Sequence, residues 1–175
     1  MTWRMVSRRL LLLSACLLAL ASLGFLALPP ARALNLFVIE RSKNRNVVRY
    51  DLVLDRSGFY DPRRPLDVYW SMLAEDGRRA ELSLLERQAY GFELLPNAKP
   101  SELGARLLAV KARPLMVRGG RGAYRAELSL QGVPAYLERV FVATREGSVL
   151  PTVLYIELRG RSLRDGRTLS ERIEK

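Results

Sequence analysis

The chain has 175 residues, 29 Lys+Arg against 18 Asp+Glu, no histidine and one cysteine. Its 49% apolar and 27% charged composition is that of a folded domain rather than of a disordered chain. The absence of histidine excludes Ser-His-Asp and Cys-His catalysis and every His-ligated zinc site.

The N-terminus reads as an address. Arg4, Arg8 and Arg9 precede an uncharged run from Leu10 to Leu28; Pro29 and Pro30 then break it, and Ala31-Arg32-Ala33 offers small residues at a cleavage site. This order predicts a signal peptide over residues 1–33 and a mature domain over 34–175, periplasmic or secreted. An uncleaved anchor is the alternative, because the apolar run is long enough to span a bilayer. Leu13-Ser14-Ala15-Cys16 offers a lipidation box, and Ser7-Arg8-Arg9 has the look of a twin-arginine signal. Both are weighed below the general secretory route. Membrane contact is expected only if this segment is retained or lipidated.

Beyond Leu34 the polarity alternates with period two. Val48, Tyr50, Leu52 and Leu54 share one face with Arg49 and Asp51 opposite, and Tyr124, Ala126, Leu128 and Leu130 alternate with Arg125, Glu127 and Ser129. Similar runs are Leu36–Ser42, Leu66–Ala74, Arg106–Val117, Ala135–Thr144 and Thr152–Arg159. Lys43-Asn44-Arg45-Asn46 is expected as a hairpin loop, Asp76-Gly77 and Asp165-Gly166 as two-residue turns, and Gly119-Gly120-Arg121-Gly122 as a turn between two strands. Ser83-Leu84-Leu85-Glu86 fits a capping box that opens a helix of about two turns ending near Gly91. Yet Ala80-Glu81-Leu82-Ser83-Leu84 recurs as Ala126-Glu127-Leu128-Ser129-Leu130, where a strand is expected, so only the flanking residues favour helix in the first copy. The fold class predicted is all-β: one antiparallel domain of about eight strands, barrel-like or a sandwich, with one short helix near 84–90.

Glu40-Arg41-Ser42-Lys43-Asn44-Arg45-Asn46 is either a polar hairpin loop or a set of donors for an anion. The stretch Leu36-Phe37-Val38-Ile39-Glu40-Arg41-Ser42-Lys43-Asn44, followed by Asn46-Val47-Val48 and Tyr50-Asp51, resembles the opening of the domain of unknown function family 4833. Asp67-Val68-Tyr69-Trp70, Asp76-Gly77-Arg78, Leu82-Ser83, Leu85-Glu86-Arg87 and Ala89-Tyr90-Gly91-Phe92 continue the resemblance over most of the mature chain. It implies a single exported or envelope-associated domain and carries over no activity.

Trp70 and Tyr69 must point to opposite faces of a strand, so one of them at most lines a given cavity; core packing is the weightier reading for the aromatic group. Arg113, Arg118, Arg121 and Arg125 surround one glycine-rich turn, and Arg159, Arg161, Arg164 and Arg167 another, as solvated hairpin ends or as an anion-binding surface. The residues point to a module that binds rather than reacts, its sheet interior or open mouth accepting an apolar or amphipathic small molecule. The rivals are a surface for anionic envelope polymers or lipid head groups, and a carboxylate hydrolase using Glu40 and Asp67. The candidate ligand-binding residues are Glu40, Arg41, Lys43, Asn44, Asn46, Tyr50 and Trp70; no cofactor, metal or nucleic acid is expected.

Overall fold

Among the described residues eleven strands follow one another with a single short α-helix among them. The computed structural model describes residues 32–96, 101–111, 113–145 and 152–175. The strands are β1 (Arg32–Arg41), β2 (Asn44–Leu54), β3 (Leu66–Ser71), β4 (Arg79–Glu81), β5 (Phe92–Leu95), β6 (Glu102–Leu107), β7 (Pro114–Gly120), β8 (Ala123–Leu130), β9 (Val133–Arg145), β10 (Thr152–Ser162) and β11 (Thr168–Glu174), with helix α1 at Leu84–Tyr90. The expected cleavage point after Ala33 falls just inside β1; the leader residues before Arg32 lie outside the described residues.

The long strand β9 organises the domain. Along one edge it pairs with β10 over residues 135–145, and β10 with β11. Its other edge is divided: residues 133–136 pair with β8, and residues 139–142 pair with β1 in parallel. Two arms therefore diverge from β9, one running β1-β2-β3-β4 and the other β8-β7-β6-β5. The result is a curled, mixed sheet forming a half-barrel, all-β with one short helix. The parallel β1–β9 pair departs from the purely antiparallel domain expected, and the described residues form eleven strands rather than about eight, because short polar strands such as β4 and β11 leave little alternation to read.

Period two sets what faces inward. Ile39, Val48, Tyr50, Leu52 and Trp70 from the first arm meet Leu103, Leu115, Val117, Tyr124 and Ala126 from the second in one buried cluster. Phe37 and Tyr50 stack with centroids 4.5 Å apart, worth about 1 kcal/mol beyond their burial. The void among Leu107, Leu115, Leu137 and Leu158 measures about 10 Å³, room for about one water, so side chains fill the interior there. At one end the arms are joined directly: the Gly122 N–H donates to the Gly58 carbonyl at 2.8 Å, and the Tyr60 and Tyr124 rings meet edge to face.

Three turns differ from expectation. The β1–β2 reversal uses only Ser42 and Lys43, with Arg41 paired to Asn44, so Asn44 already belongs to β2. Type I′ geometry sits at Arg121-Gly122 and Gln131-Gly132, where both residues have positive φ and the flanking residues pair. At Asp76-Gly77 and Asp165-Gly166 only the glycine has positive φ; each aspartate instead accepts a hydrogen bond from the N–H two residues on, which builds a longer turn. The apolar run Arg106–Val117 is not one strand. It breaks into the end of β6, a tight helical turn at Leu108–Val110 and the start of β7 at Pro114, whose missing N–H suits a strand's first residue.

Candidate functional site

The capping box forms as read. The Ser83 hydroxyl accepts from the Glu86 N–H at 3.3 Å, and the Glu86 carboxylate accepts from the Ser83 N–H at 2.9 Å, which starts α1. Glu86 does more than cap. Its Oε1 accepts the indole N–H of Trp70 at 3.0 Å, fastening α1 to β3. Burial raises the Glu86 carboxyl, but bonds from the Ser83 N–H and hydroxyl and from Trp70, with the charge of Arg41, outweigh it and hold the group below its ordinary range. At the other end of the helix the Tyr50 hydroxyl donates to the Tyr90 carbonyl, and the Tyr90 ring meets Trp70 edge-on at 5.6 Å. Burial pushes the Tyr50 phenol far above its usual range, so it stays a neutral donor.

Arg41 closes this group. The β1–β9 register places it beside Val142, one row beyond Ile39 and Val140, and the alternation turns it inward like Ile39. Its guanidinium lies over the Trp70 ring, 4.3 Å from the centroid, and its Nε is buried without a hydrogen-bond partner among the described residues.

Of the residues singled out by sequence, the fold brings together Arg41, Tyr50 and Trp70. The other four go elsewhere. Glu40 faces outward and binds Arg139, with both oxygens 3.2 Å from one guanidinium nitrogen. Lys43 is exposed in the turn. Asn44 accepts from the Asn46 N–H at 3.1 Å, and Asn46 accepts from the Ala74 N–H at 2.8 Å, so both side-chain oxygens order loops. Glu86 and Tyr90 also belong to the cluster; the capping box marked Glu86 and the aromatic group included Tyr90, but no local pattern joins them to their partners Trp70 and Tyr50, which come from other strands.

Beside this cluster opens a groove of about 510 Å³ between α1 and the inward face of β9 and β10. Its walls are Leu85, Ala89 and Tyr90 on one side and Val142, Val153 and Ile156 on the other. The volume lies in the range of roughly 300–1,000 Å³ typical of ligand pockets. Leu85 is 68% exposed at its lip, an apolar side chain left to solvent. A second pocket, about 360 Å³, lies on the far side of α1 and is charged: Arg64 and Arg87 face Asp67 and Glu81 across it. Those charges are mutually neutralised, Arg64 reaching Asp67 at 2.9 Å and Arg87 reaching Glu81 at 3.9 Å.

The outer face of the first arm carries a polar network. Asp51, buried although it sits opposite Tyr50, accepts from the Asn35 amide at 2.8 Å and the Tyr69 hydroxyl at 2.7 Å. Tyr69 thus faces away from Trp70, and Arg79 lies over its ring while binding Asp67. Hydrogen bonds from Arg79, reinforced by Arg64, hold the Asp67 carboxyl below its usual range against the effect of burial.

Among the described residues no group of acidic and cysteine side chains is placed to hold a metal ion, and no helix is long and apolar enough to cross a membrane. No curated protein and no solved structure matches the chain. The family model described as "Domain of unknown function (DUF4833)" matches residues 37–172, a span that takes in the Arg41–Trp70–Glu86 cluster and both walls of the groove. The chain therefore belongs to the DUF4833 family.

Proposed function

We propose that this protein is an exported, non-catalytic binding module whose groove between α1 and β9–β10 accepts an apolar or amphipathic small molecule. The groove itself carries the reading: about 510 Å³ of open space walled by Leu85, Ala89, Tyr90, Val142, Val153 and Ile156, beside an interior that side chains fill. The export half rests on the basic, apolar and small-residue order of residues 1–33.

Two observations weigh against the rivals. Glu40 and Asp67 are both committed to arginines. Strand β2 lies between them and they are four residues out of register, a separation of roughly 16 Å from strand spacing and rise. That exceeds the roughly 5–9.5 Å at which paired carboxylates cleave glycosides. The arginines of the glycine-rich turns are largely spent inside the domain: Arg118 on Glu102 and Glu127, Arg113 on Glu171, Arg161 on Glu138.

Titration of the purified protein with phenylnaphthylamine, an uncharged apolar dye, tests the reading. One saturable site per chain is the expected result; a signal that rises without saturating removes it.

A further inference from the structure

Resting on the groove as the binding site, we infer that its ligand is a long-chain carboxylate whose head group is held by Arg41. Among the described residues Arg41 combines a buried, unbonded Nε with the lack of any carboxylate partner; Arg49, whose Nε is also buried and unbonded, has Asp51 at 3.6 Å. Arg79, Arg113, Arg118, Arg139, Arg159 and Arg161 each bind a carboxylate, whereas Arg41 makes no hydrogen bond and no ion pair among the described residues. The acid whose titration feels its charge, Glu86, is occupied by Ser83 and Trp70. A guanidinium offers five N–H donors, and with no hydrogen bond made inside the domain those of Arg41 are uncommitted and can serve an incoming anion.

Position and charge agree with this assignment. Val142, the neighbour of Arg41 on β9, is a wall of the groove, and Tyr90, another wall, packs on the Trp70 ring that supports the guanidinium. Among the described residues that line the groove, Lys175 carries the one charged side chain, a cation, which favours an anion there. A volume of about 510 Å³, with apolar walls, gives room for an alkyl chain. Trp70 fixes the guanidinium plane in advance, which lowers the cost of ordering it around a carboxylate.

Displacement of phenylnaphthylamine by laurate and by dodecanol, equal in chain and different in charge, tests the assignment. Laurate is expected to displace the dye at concentrations about tenfold or more below those of dodecanol. Arg41→Met should bring laurate to within about twofold of dodecanol and leave dodecanol unchanged, which also shows that the variant is folded; Arg41→Lys should keep part of the preference. Equal displacement by the two compounds from a saturable site overturns the carboxylate and leaves the groove standing. A laurate preference that survives Arg41→Met overturns the role of Arg41, with Lys175→Met then identifying the other cation. Failure of the dye to saturate removes the groove reading itself, and this inference with it.

Discussion

The indole N–H of Trp70 donates to Glu86 at 3.0 Å, so the residue that caps α1 also ties the helix to the buried face of β3. Local and tertiary structure share one carboxylate. α1 has no buried residue of its own and is seven residues long, too short to hold by propensity. Its place over the groove depends on its two ends, Glu86 at the start and Tyr90 at the finish.

Removal of that carboxylate is therefore expected to cost more than an ordinary cap. Ser83→Ala should lose about 1 kcal/mol, the usual value of a serine cap. Glu86→Ala also orphans the Trp70 N–H and should lose about 2–3 kcal/mol. Glu86→Gln keeps an acceptor for the indole and should fall between them. Urea unfolding of the three variants measures the order; Ser83→Ala costing as much as Glu86→Ala contradicts the double role.

Stability should be level near neutrality and fall at both extremes of pH. The carboxyls of Glu86, Asp67 and Glu171 are held below their ordinary values, Glu86 by Ser83 and Trp70 against burial, Asp67 by Arg79 and Glu171 by Arg113. A depressed acid stabilises fully above its unfolded value of about 4 and loses that contribution as pH falls through its folded value. Tyr50, Tyr69 and Tyr124 are raised, chiefly by burial. Their neutral forms favour the folded state, and that contribution is complete below the unfolded value of about 10 and lost above it. With no histidine in the chain, no side chain of the domain titrates ordinarily between about pH 5 and 8. Urea midpoints should agree between pH 6 and 8 and drop below about pH 4; a step near pH 6.5 would contradict this assignment.

How far the sequence reached is visible in particular residues. Alternation placed Val48, Tyr50, Leu52 and Leu54 on the dry face, and all four are buried there. It placed Asp51 opposite them, where it lies, yet gave no sign that Tyr69 and Asn35 would cover it. The repeated string resolves as its flanks indicated: Ala80-Glu81 ends β4 and Ser83 caps α1, while Ala126–Leu130 is strand. Period tells which face a residue takes but not which strand lies beside it. The parallel seam of Val38–Arg41 with Arg139–Val142, about a hundred positions apart, is invisible to any local pattern, and it is what sets Arg41 beside Val142, a wall of the groove. Arg41 looked like one charge among several in a polar loop; its inward turn and its seat on Trp70 follow from the shortened hairpin, which leaves it the last residue of β1.

Adjacent glycines in the β7–β8 hairpin should respond oppositely to an added methyl. Gly119 has φ +146°, and a Cβ there would lie 2.1 Å from the Ala123 carbonyl oxygen and 2.7 Å from the Tyr124 Cα. Both obstacles are backbone, so the hairpin must open, and Gly119→Ala should lose about 3 kcal/mol or more. Gly120 has negative φ and nothing within 4 Å of the same position, so Gly120→Ala should change stability by less than about 0.5 kcal/mol. The hairpin tip holds the first arm through the Gly122–Gly58 hydrogen bond, so the Gly119→Ala defect should extend to hydrogen exchange at Gly122. Equal urea midpoints for the two variants would show that the hairpin yields freely.

Filling the groove separates binding from folding. Ala89 is exposed on α1 yet forms part of the wall facing Val142, Val153 and Ile156, so a larger side chain there enters open space rather than a packed core. Ala89→Trp places an indole across the apolar walls, where burial of its ring offsets the small loss of helix propensity. The urea midpoint should therefore move by less than about 0.5 kcal/mol in stability, as for other substitutions that strain nothing. Dye binding should fall at least tenfold, because the ring occupies the volume the ligand needs. Gln88→Trp, at the neighbouring lining position, is expected to act in the same direction. Arg87→Trp, on the charged side of the helix, should leave dye binding unchanged. If all three variants bind the dye like the parent protein, the ligand enters elsewhere and the space under α1 is only a gap between strands.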